Sequence, residues 1–144
     1  MTFSANGFEW LVDARGCDPD ALRSRERLEA LFADIVSAAG LHALASPQWH
    51  VFPGEAGVTG LVMLSESHLA CHTYPEAGYA AFSLYCCRPG VPAWDWAGRL
   101  RETLGAAEVA VRVVPRGPDH PVEKLDGDTP WSVADQGTGN CQFR

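Results

Sequence analysis

Apolar positions along the chain follow two periods, and the change of period marks the elements. Phe8-Glu9-Trp10-Leu11-Val12-Asp13-Ala14 partly alternates and predicts a first strand, turned by Gly16-Cys17-Asp18-Pro19. Leu28, Leu31, Phe32, Ile35, Val36 and Ala39 recur at helical spacing, with Arg25, Glu26, Arg27 and Glu29 mostly on the other side. Ser24 can cap that helix, and Gly40 can supply its left-handed last residue. A second strand is expected over 41–49, broken by Pro47, followed by a loop from His50 to Gly57. Further strands are expected over 59–64, 69–74 and 79–86, the last two joined by the turn Pro75-Glu76-Ala77-Gly78. Pro89 and Pro92 end the sheet run and open a second helix with the stripe Trp94, Ala97, Leu100, Arg101 and Leu104. Gly105 ends it, and Glu108 to Val114 alternates as a sixth strand.

Two helices and six short-linked strands predict an α+β fold. It would be a two-layer sandwich, an antiparallel sheet with the two helices on one face and the other face left for a partner. The main domain is expected over 1–115. From there Pro, Gly, Asp and Ser dominate, so 116–144 is expected as an extended C-terminal tail that Trp131 pins to the body.

At 144 residues the chain is one domain with room for a core. The longest apolar runs are too short to span a bilayer, so no membrane partner is expected. Met1-Thr2-Phe3-Ser4-Ala5-Asn6 lacks the basic and apolar regions of a signal peptide, and a cytoplasmic location is expected. A net charge of -7 argues against nucleic acid and suits a cationic small molecule. Five cysteines at irregular spacing, with no CxxC pair, predict neither a disulfide framework nor a metal site. No Walker loop or GxGxxG is present.

Between the apolar runs Leu61-Val62-Met63-Leu64 and Ala80-Ala81-Phe82-Ser83-Leu84-Tyr85 lies Ser65-Glu66-Ser67-His68-Leu69-Ala70-Cys71-His72-Thr73-Tyr74-Pro75-Glu76. This stretch holds a Glu-Ser bond, two histidines, a cysteine and a carboxylate, which is more chemistry than a connection needs. Glu66-Ser67-His68, His72-Thr73-Tyr74-Pro75-Glu76 and Gly78-Tyr79-Ala80-Ala81 resemble the signature of the prokaryotic S-adenosylmethionine decarboxylases. Gly57-Val58-Thr59-Gly60, Cys87 and Gly16-Cys17-Asp18 extend the likeness over roughly residues 7 to 115.

The resemblance implies a self-cleaving enzyme that makes a pyruvoyl cofactor from Ser67. In such an enzyme Ser67 Oγ attacks the Glu66 carbonyl, the amide becomes an ester, and elimination and hydrolysis leave an N-terminal pyruvoyl group. A residue at Thr59 would hydrogen-bond the intermediate, and His72 would be the processing base. The pyruvoyl carbon would take the substrate amine as a Schiff base and draw electrons as CO₂ leaves. Cys87 matches the position that returns a proton to the substrate. Neighbours on a strand face opposite ways, so of Cys86 and Cys87 only one can reach the site. Phe52 and Tyr74 match adenine-stacking rings, with Tyr74 in place of the usual tryptophan, and Glu76 matches a ribose-binding carboxylate. Ser83 stands where aspartate is common and Ala77 where tyrosine is. The resemblance also implies a homodimer with each active site at the subunit junction.

The alternatives are a pyruvoyl-dependent ornithine or arginine decarboxylase, for which Glu55 or Glu76 could serve the distal cation, and an unprocessed non-catalytic homologue. That homologue would be expected to lose Ser67, His72 or Cys87, and all three are present. A thiol redox protein built on Cys86-Cys87 would need a strained vicinal disulfide.

Overall fold

The computed structural model describes residues 6–87 and 94–119. Six strands, β1 (Gly7–Arg15), β2 (Gln48–Val51), β3 (Val58–Met63), β4 (Ser67–Tyr74), β5 (Tyr79–Cys86) and β6 (Glu108–Arg116), form one sheet in the order β2-β3-β4-β5-β1-β6. Every pairing is antiparallel. β4 and β5 thus take the centre, next to β1.

Three helices accompany the sheet: α1 (Pro19–Arg23), α2 (Arg25–Ala38) and α3 (Trp96–Leu104). As expected, Ser24 Oγ caps α2 by accepting from the Arg27 N–H, and Gly40 is left-handed beyond its end. Leu28, Leu31, Phe32 and Ile35 are buried. The short α1 is an addition to the sequence reading. Asp18 accepts from the Asp20 N–H, and Pro19 opens the helix, so the segment read as a turn continues into one helical turn.

Two other elements lie away from their expected places. β2 begins at Gln48 rather than at residue 41, and only Ala43, bridged to Leu64, joins the sheet before it. Pro47 lacks the N–H a ladder needs, so pairing starts after it. The helix expected from Pro89 and Pro92 starts at Trp96, where Asp95 accepts from the Gly98 N–H. Both prolines lie outside the described residues. Trp96, not Trp94, is the buried anchor, packing against Phe82 at 6.0 Å. β6 runs through Arg116, which pairs with Gly7, so the body extends past 115. Residues 120–144, with Trp131, fall outside the described residues.

The core fills the helix side of the sheet. Along β4, Ser67, Leu69, Cys71 and Thr73 are buried, while His68, His72 and Tyr74 are exposed on the opposite, open face. Two contacts hold this end of the sheet to the helices. Thr73 Oγ1 accepts from the Val58 N–H at 2.9 Å and donates to the Leu22 carbonyl at 2.8 Å. Trp49 packs on Phe32 at 4.8 Å and lies so close to Gly60 that a Cβ there would sit 2.2 Å from the indole. Gly60 is therefore the only size that leaves Trp49 in place.

Candidate active site

The residues singled out in sequence fall into two groups at opposite ends of β4. The first surrounds the Glu66–Ser67 bond. Ser67 opens β4 on its buried face, 8% exposed, and its Oγ has no hydrogen-bond partner among the described residues. A buried hydroxyl without a partner costs about 1–3 kcal/mol. The Glu66 carbonyl, by contrast, receives two donors. The Cys87 N–H reaches it at 3.2 Å and the Cys87 thiol at 3.0 Å. Ser67 pairs with Cys86 across the ladder, which brings Cys87 opposite Glu66. The Glu66 side chain is held by the Ser65 hydroxyl. Cys86 is 1% exposed and faces the core, while Cys87 lies at the strand's end, half-buried against the Glu66 carbonyl.

The second group sits on the open face toward the far end. Register places His50, Thr59, His72, Ala81, Asp13 and Ala110 in one cross-strand row. Thr59 Oγ1 and His72 Nδ1 are 3.2 Å apart, within hydrogen-bond reach. Tyr74, two residues past His72, is stacked on Tyr79 at 5.6 Å and 20°. Tyr79 donates to Asp13 at 2.5 Å. That bond, helped by burial, pushes the Tyr79 phenol up to about 12, so it stays a donor. Asp13 is also paired with Arg112 at 3.4 Å. Leu11, Asp13, His72, Ala81, Ser83 and Arg112 line a depression of about 170 Å³, where the small Ala81 and Ser83 leave room beside His72.

Glu76 is exposed in the 3-10 turn Pro75–Ala77, which closes through left-handed Gly78. Phe52 follows β2, half-buried, and its N–H bonds the Gly57 carbonyl at 2.9 Å. Glu55 is held by Arg23, through both its carboxylate and its backbone carbonyl. Cys71 is in the core, where burial pushes its thiol up to about 12. Burial raises Cys17 as well. Neither thiol is poised for chemistry.

Within one chain the two groups do not meet. His72 lies five residues beyond Ser67 on an extended strand, roughly 17 Å at about 3.3 Å per residue, and on the other face. Sequence reasoning grouped Thr59, His72 and Ser67 by motif, which carries no distance. It also placed His50 in a loop and gave Asp13 and Tyr79 no part. The alternation Leu11-Val12-Asp13-Ala14 carried the signal for Asp13, whose neighbours Val12 and Ala14 are buried while it shares the open face with Leu11.

A family model described as S-adenosylmethionine decarboxylase matches residues 8–117, most of the chain and both groups of residues. The chain belongs to the S-adenosylmethionine decarboxylase family. These are the pyruvoyl-dependent, self-processing enzymes of prokaryotes. The S-adenosylmethionine decarboxylase proenzyme of Pelotomaculum thermopropionicum is 37% identical over 107 residues, covering 74% of this chain and 83% of that protein. The proenzyme of Thermococcus kodakarensis is 38% identical over 81 residues, covering 56% of this chain and 55% of that protein, about half its length. The crystal structure of the adenosylmethionine decarboxylase from Aquifex aeolicus superposes with a TM-score of 0.67 at 26% identity, covering 84% of this chain and 97% of that one. The described helices include none long and apolar enough to cross a membrane.

Proposed function

We propose that this S-adenosylmethionine decarboxylase family member cleaves itself at Glu66–Ser67, makes its pyruvoyl group from Ser67, and decarboxylates S-adenosylmethionine to the aminopropyl donor of spermidine synthesis. The observation that carries the reading is the Glu66 carbonyl, held by two donors from Cys87 beside a buried Ser67 hydroxyl with no partner. Two donors draw electron density from the carbonyl carbon and favour the oxyanion that forms when Oγ adds to it. The unpartnered hydroxyl gives up no hydrogen bond when it attacks. Addition of Oγ to the Glu66 carbon and departure of the Ser67 nitrogen convert the amide to an ester. Loss of the Ser67 Cα proton then expels the Glu66 carboxylate and divides the chain. The dehydroalanine left at residue 67 tautomerises to an imine, which water hydrolyses with release of ammonia, and the resulting pyruvoyl group would supply the electron sink for decarboxylation. Cys87 Sγ, at the same end of the strand, is the donor that returns a proton to the substrate's Cα.

The base for the Ser67 Cα proton is assigned to His72, with Thr59 holding its Nδ1. Because His72 is roughly 17 Å from Ser67 along β4, it must come from a second copy. The open face supports such a pairing. Leu61, Met63 and Tyr74 are 48%, 62% and 44% exposed there, an apolar cost that a second sheet would remove. A symmetric homodimer uses the same patch on both subunits, so one chain's Ser67 end meets the other's His72 end, twice. Phe52, Tyr74 and Glu76 lie toward the His72 end and would bind the substrate for the partner's cofactor.

The substrate assignment rests on the family together with the aromatic faces. Tyr74, backed by Tyr79, and Phe52 offer platforms for adenine and for the sulfonium, whose attraction to a ring contributes on the order of 0.5–2 kcal/mol. Glu76 is exposed and would accept from the ribose hydroxyls. The rival substrates, ornithine and arginine, need a carboxylate for the distal cation, and Glu55 is already engaged by Arg23. The test is CO₂ release from purified, processed protein offered each of the three substrates. Release from S-adenosylmethionine is expected. Release from ornithine or arginine alone would overturn the substrate and leave the cofactor chemistry standing.

A further inference from the structure

His50 takes no part in the chemistry above, yet it stands in the same cross-strand row as Thr59 and His72. It pairs with Thr59, and Thr59 pairs with His72, so all three side chains emerge on the open face. Its exposed ring meets Phe52 edge-to-face, with centroids 4.5 Å apart and planes at 88°. Phe52 lies just past the end of β2, and its backbone is fixed by the N–H bond to Gly57. That bond leaves the ring free to turn about its side-chain torsions. Among the described residues, His50 is its aromatic neighbour.

We propose that His50 is a positioning residue for substrate, holding the Phe52 ring as a fixed wall of the site for the purine and sulfonium of the substrate. Edge-to-face packing restricts the Phe52 ring to orientations in which His50 can contact it, and His50 itself is set by the ladder of β2 and β3. A ring ordered before binding loses less freedom when substrate arrives. His50 therefore lowers the cost of binding and leaves the bond-breaking steps to other groups. The strand fixes which face it serves. A shift of β2 by one residue would turn His50 toward the helices and leave Phe52 without its neighbour. This inference rests on the reading of Phe52 as a substrate-stacking ring.

The experiment compares wild type, His50→Ala and His50→Phe as full-length, processed protein. Self-cleavage is followed by intact mass, and KM and kcat for S-adenosylmethionine by CO₂ release. In His50→Ala, KM is expected to rise about threefold to tenfold, the factor an edge-to-face aromatic pair carries, with kcat changed less than twofold. His50→Phe keeps the aromatic edge and should restore most of the affinity. An unmoved KM in His50→Ala, an equal loss in His50→Phe, or a His50→Ala chain that fails to cleave would each overturn the proposal. If the wild type itself releases no CO₂ from S-adenosylmethionine, the substrate reading falls and this inference falls with it.

Discussion

At its first residue β4 carries a buried hydroxyl with no partner among the described residues, next to a carbonyl held by two donors. Five residues on, it carries an exposed imidazole bonded to a threonine of the neighbouring strand, with tyrosine rings beyond. The first end holds the Glu66–Ser67 bond proposed for cleavage. The second holds His72, the proposed base, beside the proposed binding surfaces. On this proposal a single strand holds two half-sites, and its extended conformation keeps them apart. On the proposal that the active centre is assembled from two copies, the motif is contiguous in sequence because one strand carries both halves.

The largest effects should come from removing either half. Ser67→Ala is expected to abolish cleavage, so the purified protein remains a single 15.6 kDa chain by mass. His72→Ala is expected to leave the chain whole or cleave it far more slowly, although His72 touches nothing at the scissile end of its own chain. Normal cleavage of His72→Ala would remove the second half-site from processing.

A smaller effect is expected from Cys87, the thiol proposed to serve both processing and turnover. In Cys87→Ala the backbone N–H still reaches the Glu66 carbonyl, so cleavage should slow by about tenfold rather than stop. Turnover of whatever protein is processed should fall further, because the proton donor is gone. Cys86→Ala removes a core group instead and should cost about 1 kcal/mol of stability with little effect on cleavage. Equal kinetic damage from both changes, measured by time-resolved mass and CO₂ release, would break the distinction between the two neighbours.

The smallest effect concerns the second half-site alone. Tyr79 titrates near 12 in the folded protein because it donates to Asp13, against about 10 in an unfolded chain. Below pH 10 both states keep the proton, and the bond's contribution is fully present. Between pH 10 and 12 the unfolded chain ionises first, so that contribution is lost as pH rises. Tyr79→Phe should lower stability slightly at neutral pH and flatten the alkaline decline in a urea titration series. An unchanged alkaline slope would mean the phenol is not held by Asp13.

Much of the fold was legible because alternation survives where one face is buried. β4 and β5 follow period two, and the facing argument for Cys86 and Cys87 needed nothing more. β2 was misplaced because pairing starts only after Pro47, in a four-residue edge segment with no buried face to enforce a pattern; within it Trp49 alone turns inward. α1 was missed because a five-residue helix shows no full period. The motif singled out the candidate residues, but it carried no distance between Ser67 and His72. That distance follows from the extended conformation of β4, whereas His50 was read into a loop because the span of β2 was misjudged.

The most direct test of a site divided between two copies is complementation. Ser67→Ala and His72→Ala chains carrying different tags are co-expressed, and mixed dimers are isolated through both tags. Each mixed dimer has one centre that joins Ser67 of the His72→Ala chain to His72 of the Ser67→Ala chain, and one centre that has neither group. The His72→Ala chain, whole or slow on its own, is expected to be cleaved in the mixed dimer at close to the wild-type rate, while the Ser67→Ala chain stays intact. A His72→Ala chain that cleaves no faster in verified mixed dimers than alone would contradict it.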